Sequence, residues 1–348
     1  MYTGYVLKQT PQDFLVKEIS LLSKLKQHPD KNNQITFLLL KKYDFNHFDS
    51  LKILTSILKI TYDQISVAGI KDEDAITWQA MTINKIIYKK DLRIINKKLC
   101  NNKNYLFFEK ILGYGNKMLT KASLHGNLFS IGIRNIDKNL CETIQNFIGK
   151  GKYFSFVNYY DTQRFGKPGS IYNTASIGQY LIKKEWKKAY SEYLKAEQIE
   201  VNKHQKVTNY LKKILEIPQG IRDFYISSYN SLLWNKSASK LLKLSKDSST
   251  ANFPILGKLN IIYNNGYCPP LHSINEFKVD WTNNKLYRET KIRPLIINTK
   301  IFVKDIQNDE FHKDKYVIYL DYYLPTGCYA TMLIKELFIC CDNYGKKK

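Results

Sequence analysis

The sequence predicts an α+β chain built in two parts. Ahead of Gly166, segments that alternate apolar and polar residues outnumber helical ones; beyond it the texture changes to Lys-rich amphipathic helices. At 348 residues there is room for about two domains, since a domain takes roughly 150 residues.

The elements follow in order. Phe14, Val16 and Glu18 alternate with Leu15, Lys17 and Ile19, the period of a strand, and Ile35 to Leu40 is a short apolar run bounded by polar residues, a second strand. Asp49 is the expected cap of a helix that places Leu51, Leu54 and Leu58 on one face beside Ile53, Ile57 and Ile60. Next come Ile65 to Ala68, Gly69, a charged knot at Lys71, Asp72, Glu73 and Asp74, and a further alternating stretch from Thr77 to Ile83. The knot is therefore a loop joining two strands. Tyr105 to Tyr114 and Leu128 to Arg134 have strand character. Leu140, Ile144, Phe147 and Ile148 share one side of a helix that Gly149 and Gly151 end.

In the second part, residues 181–197 and 210–215 read as Lys-rich amphipathic helices, and Ile221 to Leu242 as a longer one. Near the C-terminus, Tyr316 to Tyr322 alternates as a strand, Pro325, Thr326 and Gly327 make a turn, and Ala330 to Leu337 is helical. There is no internal repeat and no low-complexity linker, only a basic tail from Lys346 to Lys348.

Lys and Arg number 54 against 31 Asp and Glu, and the resulting net charge of +23 predicts a polyanionic partner. A hydrophobic fraction of 44% excludes a largely disordered basic tail protein. The cysteines at 100, 141, 268, 328, 340 and 341 are too sparse for a disulfide scaffold and include no CxxC pair for a metal, so a reducing, cytoplasmic setting is expected. The N-terminal stretch lacks the apolar core of a signal peptide, and no apolar run reaches the roughly 18 residues of a membrane span. The 26 Tyr and 17 Phe, interleaved with Lys and Arg, offer stacking faces and phosphate partners for nucleic acid, although a core also consumes such rings.

The sharpest local feature is V-A-G-I-K-D, Val67 to Asp72, where small Ala68 and Gly69 let the backbone turn and present a Lys-Asp pair at a strand end. Alone, it is also a common surface turn. Four other runs accompany it: L-K-Q-T-P-Q-D-F-L-V-K-E (Leu7 to Glu18), H-G-N-L-F-S-I-G-I-R (His125 to Arg134), V-N-Y-Y-D-T-Q-R-F-G (Val157 to Gly166) and L-P-T-G-C-Y-A-T-M-L-I-K-E-L (Leu324 to Leu337). Together with A-G-I-K-D-E-D-A-I-T-W-Q (Ala68 to Gln79), this ordered set resembles the TruD family of tRNA pseudouridine synthases.

The resemblance implies a pseudouridine synthase core, a mixed and largely antiparallel sheet with helices, interrupted by an inserted α/β TruD domain. The expected parts are residues 1–158 and 305–348 for the catalytic domain and 159–304 for the insertion. It implies a reaction in which uracil is detached from ribose at N1, rotated, and rejoined through C5. Such an isomerisation calls for neither a redox cofactor nor a metal. It also implies a tRNA substrate, probed at position 13 by the family's usual habit, and the chain is expected to act as a monomer without a membrane.

The site residues follow from the same resemblance. Asp72 is the catalytic carboxylate, the anion that meets the electron-poor glycosidic carbon or moves protons. Phe14, Phe129 and Tyr329 match the aromatic positions that hold the uridine, and Asn127 matches an amide that hydrogen-bonds it. Stacking plus an amide reads a flipped base well. On sequence alone, Phe14 and Phe129 are core residues of alternating strands and Asn127 a turn residue. Lys8 and Glu18 are further candidates for this pocket, with a surface charge as the plainer fate of each. Lys71 is expected to meet phosphate, because neighbours on an extended chain face opposite ways. Gln163 and Arg164 belong to the Q-R-F-G run, where a forked guanidinium braces a hinge or binds RNA backbone. Lys183, Lys184, Lys187 and Lys188 either grip tRNA or form a solvated helix face.

The chain departs from the family pattern at several positions. Glu73 and Asp74 stand where basic residues are usual, Asp161 where N-Y-F-G has glycine, Asn46-His47 where Asn-Thr is common, and Lys335 where R-E-L has arginine. The competing reading is a non-catalytic RNA-binding or RNA-chaperone protein with the same fold.

Overall fold

In a computed structural model, residues 4–345 are described apart from 23, 70, 72, 101–103, 167–172, 198, 200–207, 246–247, 254 and 263–271. Asp72, Cys268 and the tail at 346–348 thus lie outside the described residues.

The chain opens with strands β1 (Val6–Leu7), β2 (Phe14–Ser20) and β3 (Ile35–Tyr43), helix α1 (His47–Leu58), strands β4 (Ile65–Val67) and β5 (Ile76–Ile83), and helix α2 (Lys89–Leu99). Strands β6 (Tyr105–Gly115) and β7 (Leu124–Ile136), helix α3 (Lys138–Ile148) and strand β8 (Lys152–Val157) follow. Next are helices α4 (Asn173–Ile182), α5 (Trp186–Ala196), α6 (Tyr210–Glu216) and α7 (Gln219–Leu242), then hairpins β9 (Ser248–Phe253) with β10 (Gly257–Ile262) and β11 (His272–Asp280) with β12 (Lys285–Arg293). Strands β13 (Ile296–Asn308) and β14 (Tyr316–Pro325) and helix α8 (Ala330–Gly345) complete it. Residues 1–153, 299–327 and 341–348 form one unit and residues 154–298 and 328–340 another.

The first unit is a sheet in the order β6-β3-β5-β2-β7-β14-β13, with β1 on β7 and β4 on β5. Strands β2 and β5 pair in parallel, whereas β2–β7, β3–β5, β3–β6, β7–β14 and β13–β14 are antiparallel, so the α+β class with a largely antiparallel mixed sheet holds. The period-two pattern explains the core: Leu38 and Leu40 of β3, Met81 of β5, and Leu106 and Phe108 of β6 meet Leu54 and Leu58 of α1 and Leu92, Ile95 and Leu99 of α2. The Asn96 side chain anchors α2 to β6, donating to the Phe108 carbonyl at 2.8 Å and accepting its N–H at 2.9 Å.

Two local expectations differ from the structure. Helix α1 begins two residues ahead of Asp49, and the Asn46 side chain accepts the Asp49 N–H at 3.4 Å; Asn46 supplies the cap because its oxygen reaches the third helical N–H. The expected helix over 181–197 is broken between α4 and α5, where Lys184 has φ of 59°, a left-handed turn that continuous periodicity hides.

The second unit packs α4 and α5 with α6 and α7 around Ile177, Leu181, Ala189, Ile214, Ile226 and Trp281. Helix α7 buries polar residues because they terminate other backbones. Asn230 exchanges hydrogen bonds with both backbone groups of Phe277, at 2.9 and 3.0 Å, and Asn235 does the same for Tyr160, at 2.8 Å each. In the β9–β12 hairpins and β13 charged or polar residues interrupt the apolar alternation, whereas Leu92, Ile95 and Leu99 of α2 stand at a helical spacing that the sequence displays. No helix among the described residues is long and apolar enough to cross a membrane.

Candidate active site

The hairpin β4–β5 pairs Ile65 with Ile83 and Val67 with Met81, so the charged knot is its connecting loop. The loop backbone passes close to β7 at Gly69, where a Cβ would come 3.2 Å from Leu124 Cδ2. Within the first unit, the β2–β7 register sets Glu18 directly opposite Asn127, and Lys71 reaches both. Its Nζ lies 2.8 Å from Glu18 Oε2 and donates to Asn127 Oδ1 at 2.9 Å. The Glu18 and Lys71 side chains are 0% and 5% exposed, so this is a buried ion pair. Lys71 is thereby turned inward, bonded to the protein, rather than presented as a surface cation. Three of the five matched runs converge at this point, and Asp72 is the next residue in the chain, though outside the described residues.

Phe14 and Phe129 lie alongside, both buried, with ring centroids 6.1 Å apart and edge to face; Phe129 stacks on Tyr322 at 5.5 Å. Lys8 places its ammonium 4.4 Å from the Phe14 ring centroid, with its backbone at φ of 57°. At Gly126, next to Asn127, β7 passes so close to β14 that a Cβ would come 2.5 Å from the Leu324 carbonyl and collide with Tyr323.

The same unit contains a buried cluster that the sequence did not announce. Arg134 Nε donates to Asp13 Oδ2 at 2.8 Å and its Nη1 to Asp309 Oδ1 at 3.1 Å. Burial pushes Asp309 up, but N–H donors from Asn135 and Phe311, with His312 and Arg134, outweigh it and hold this carboxyl below its ordinary value. Asp13 immediately precedes Phe14, so the cluster fixes the start of β2. Its signal is Arg134 two residues before Ile136 at the end of a strand-like run, with no clue to distant Asp309.

The second unit holds the remaining candidates. Tyr329 precedes α8 and meets Tyr160 edge to face at 6.0 Å, and burial pushes its phenol up to about 12. Arg164 donates from Nε to Ser231 Oγ at 3.2 Å and from Nη2 to the Ser227 hydroxyl, which ties it to α7. Gln163 is exposed. Lys183, Lys184, Lys187 and Lys188 are exposed around the α4–α5 break, with Lys188 paired to Glu185 at 2.6 Å. Among the described residues no cluster of His, Cys, Asp and Glu is arranged to hold a metal ion.

Residues 2–209 match the family model of tRNA pseudouridine synthase D (TruD). The chain belongs to the TruD family. It is 25% identical to tRNA pseudouridine synthase D of Leptospira interrogans over 96% of each chain. It is 24% identical to that of Aquifex aeolicus over 97% of this chain and 98% of the relative. A solved structure from Methanosarcina mazei, described as a tRNA pseudouridine synthase D (TruD), aligns with a TM-score of 0.59 at 18% identity, covering 96% of this chain and 93% of that one, and shares the TruD fold.

Proposed function

We propose that this TruD family member isomerises a uridine of tRNA to pseudouridine, with Asp72 as the catalytic carboxylate and position 13 as the target. The observation that carries the reading is the Glu18–Lys71–Asn127 junction, which locks the residue before Asp72 to the two strands bearing the uridine-pocket candidates.

The chemistry assigned to these residues balances within the substrate. The N1–C1′ bond breaks, and the Asp72 carboxylate attacks or stabilises the electron-poor C1′. The uracil turns and a C5–C1′ bond forms, any bond from Asp72 to C1′ breaking as it does so and returning the carboxylate; C5 then loses its proton to a base and N1 regains one. Because Asn127 Oδ1 accepts from Lys71, its amide nitrogen is left to donate to a uracil carbonyl. Glu18 offsets the Lys71 charge, so the buried cation stays fixed beside the loop. Phe14, Phe129 and Lys8 wall the same region of the first unit. The exposed lysines of α4 and α5 and the net charge of +23 support a tRNA backbone as the polyanion. A cytoplasmic, monomeric enzyme without a cofactor is part of the same proposal.

The test compares the wild-type protein with Asp72→Asn on tRNA, mapping pseudouridine by position and measuring binding in parallel. The expected result is retained binding and no product from the variant. Equal modification by both proteins would remove Asp72 from its role.

A further inference from the structure

Strand β3 presents Leu38, Leu40 and Lys42 in alternation toward the core, and Lys42 is only 1% exposed. A buried ammonium is strongly unfavourable unless hydrogen bonds hold it. Lys42 Nζ donates to the Phe45 carbonyl at 3.2 Å and to the Lys71 carbonyl at 3.4 Å. Lys71 is therefore gripped twice, by its backbone from β3 and by its side chain from β2 and β7.

The strand beside Lys42 is polar where packing alone would make it apolar. Thr77 stands opposite Lys42 and Gln79 opposite Leu40 in the β3–β5 register. Both are buried, and the Thr77 hydroxyl and both polar atoms of the Gln79 amide have no hydrogen-bond partner among the described residues. The loop is tied to the end of β3 at two further points: Asp44 N–H donates to the Ala75 carbonyl at 3.0 Å, and Asn46 Nδ2 to Glu73 Oε2 at 3.1 Å.

We propose that Lys42 is a positioning residue for the reaction: its ammonium fixes the Lys71 carbonyl and so sets the peptide leading into Asp72. The proposal rests on the reading of Asp72 as the catalytic carboxylate, and its physical core, a tether from β3 to the loop, is measurable without activity.

The experiment uses the full chain with Lys42→Met, which keeps the stem and removes the charge, and Lys42→Gln, which keeps a shorter donor. In Lys42→Met, backbone amides of 70–75 are expected to exchange with solvent about tenfold faster or more, with those of β6 unchanged. With tRNA, kcat falls about tenfold or more while KM stays within about twofold, and Lys42→Gln lies between wild type and Lys42→Met in both readouts. Unchanged exchange at 70–75, a uniform rise across β3, β5 and β6, or a loss confined to KM would overturn the proposal. Should wild type form no pseudouridine, the functional reading fails while the exchange arm still decides the tether. Should Lys42→Met not fold, Lys42→Gln carries both measurements.

Discussion

Lys335 Nζ lies 2.5 Å from Asp161 Oδ1, across 174 residues of sequence, and the two side chains are 14% and 2% exposed. Each is a position at which the chain departs from the TruD pattern, a lysine in place of the arginine of R-E-L and an aspartate in place of the glycine of N-Y-F-G. The departures meet. Asp161 also accepts from the Thr162 N–H at 2.6 Å and from the Thr331 hydroxyl, so its carboxylate ties the segment after β8 to α8 within the second unit. Lys335→Met leaves that carboxylate buried without its cation and is expected to cost about 3 kcal/mol. A cycle with Asp161→Gly, read by urea unfolding, should show coupling of about 1 kcal/mol or more. Additive losses would mean that the pair contributes nothing.

The Glu18–Lys71 pair separates stability from chemistry. Glu18→Gln strands a buried ammonium and is expected to lower both stability, by about 3 kcal/mol, and product formation. The double variant Glu18→Leu/Lys71→Met removes both charges, so thermal unfolding should return most of the way to wild type while turnover stays low. Restored turnover in that double variant would show that the junction has no part in the reaction.

Glu336 gives a pH prediction. It is fully buried in α8, and its two oxygens accept the Val157 N–H at 3.0 and 3.1 Å. Burial pushes this carboxyl well above its ordinary value of 4.5, and the Val157 hydrogen bond only partly opposes that. The folded chain therefore holds a proton that the unfolded chain releases, and stability declines as pH rises above about 4.5 toward the folded value. Glu336→Gln keeps the acceptor and removes the titration, so its melting temperature should fall less than that of wild type between about pH 5 and pH 8. Parallel profiles for the two proteins would refute the assignment.

Electrostatics should dominate RNA affinity. With a net charge of +23, log Kd for tRNA is expected to rise steeply with log salt, with a slope reporting several phosphate contacts. Replacing Lys183, Lys184 and Lys187 together by Gln should make that slope shallower by about two to three. An unchanged slope would assign those lysines to a solvated face.

Local pattern alone determined β2, β3, β6, β7, β14, α3 and α7, because alternation and helical spacing record which side of each element is buried. The five matched runs likewise determined the family, since they are contiguous stretches that survive without knowledge of pairing. Only the tertiary structure decided how Glu18, Lys71 and Asn127 come together, because the β2–β7 register and a hairpin loop depend on partners far away in sequence. Lys42 was legible in principle, being two residues beyond Leu40 and four beyond Leu38 on one face, but its value depends on a carbonyl 29 residues away. The Asp161–Lys335 pair and the Arg134 cluster have the same origin. A charged side chain is buried where the fold brings it a partner, a counter-charge for Arg134 and Lys335 or backbone groups for Lys42, and which partner that will be is a property of the folded chain.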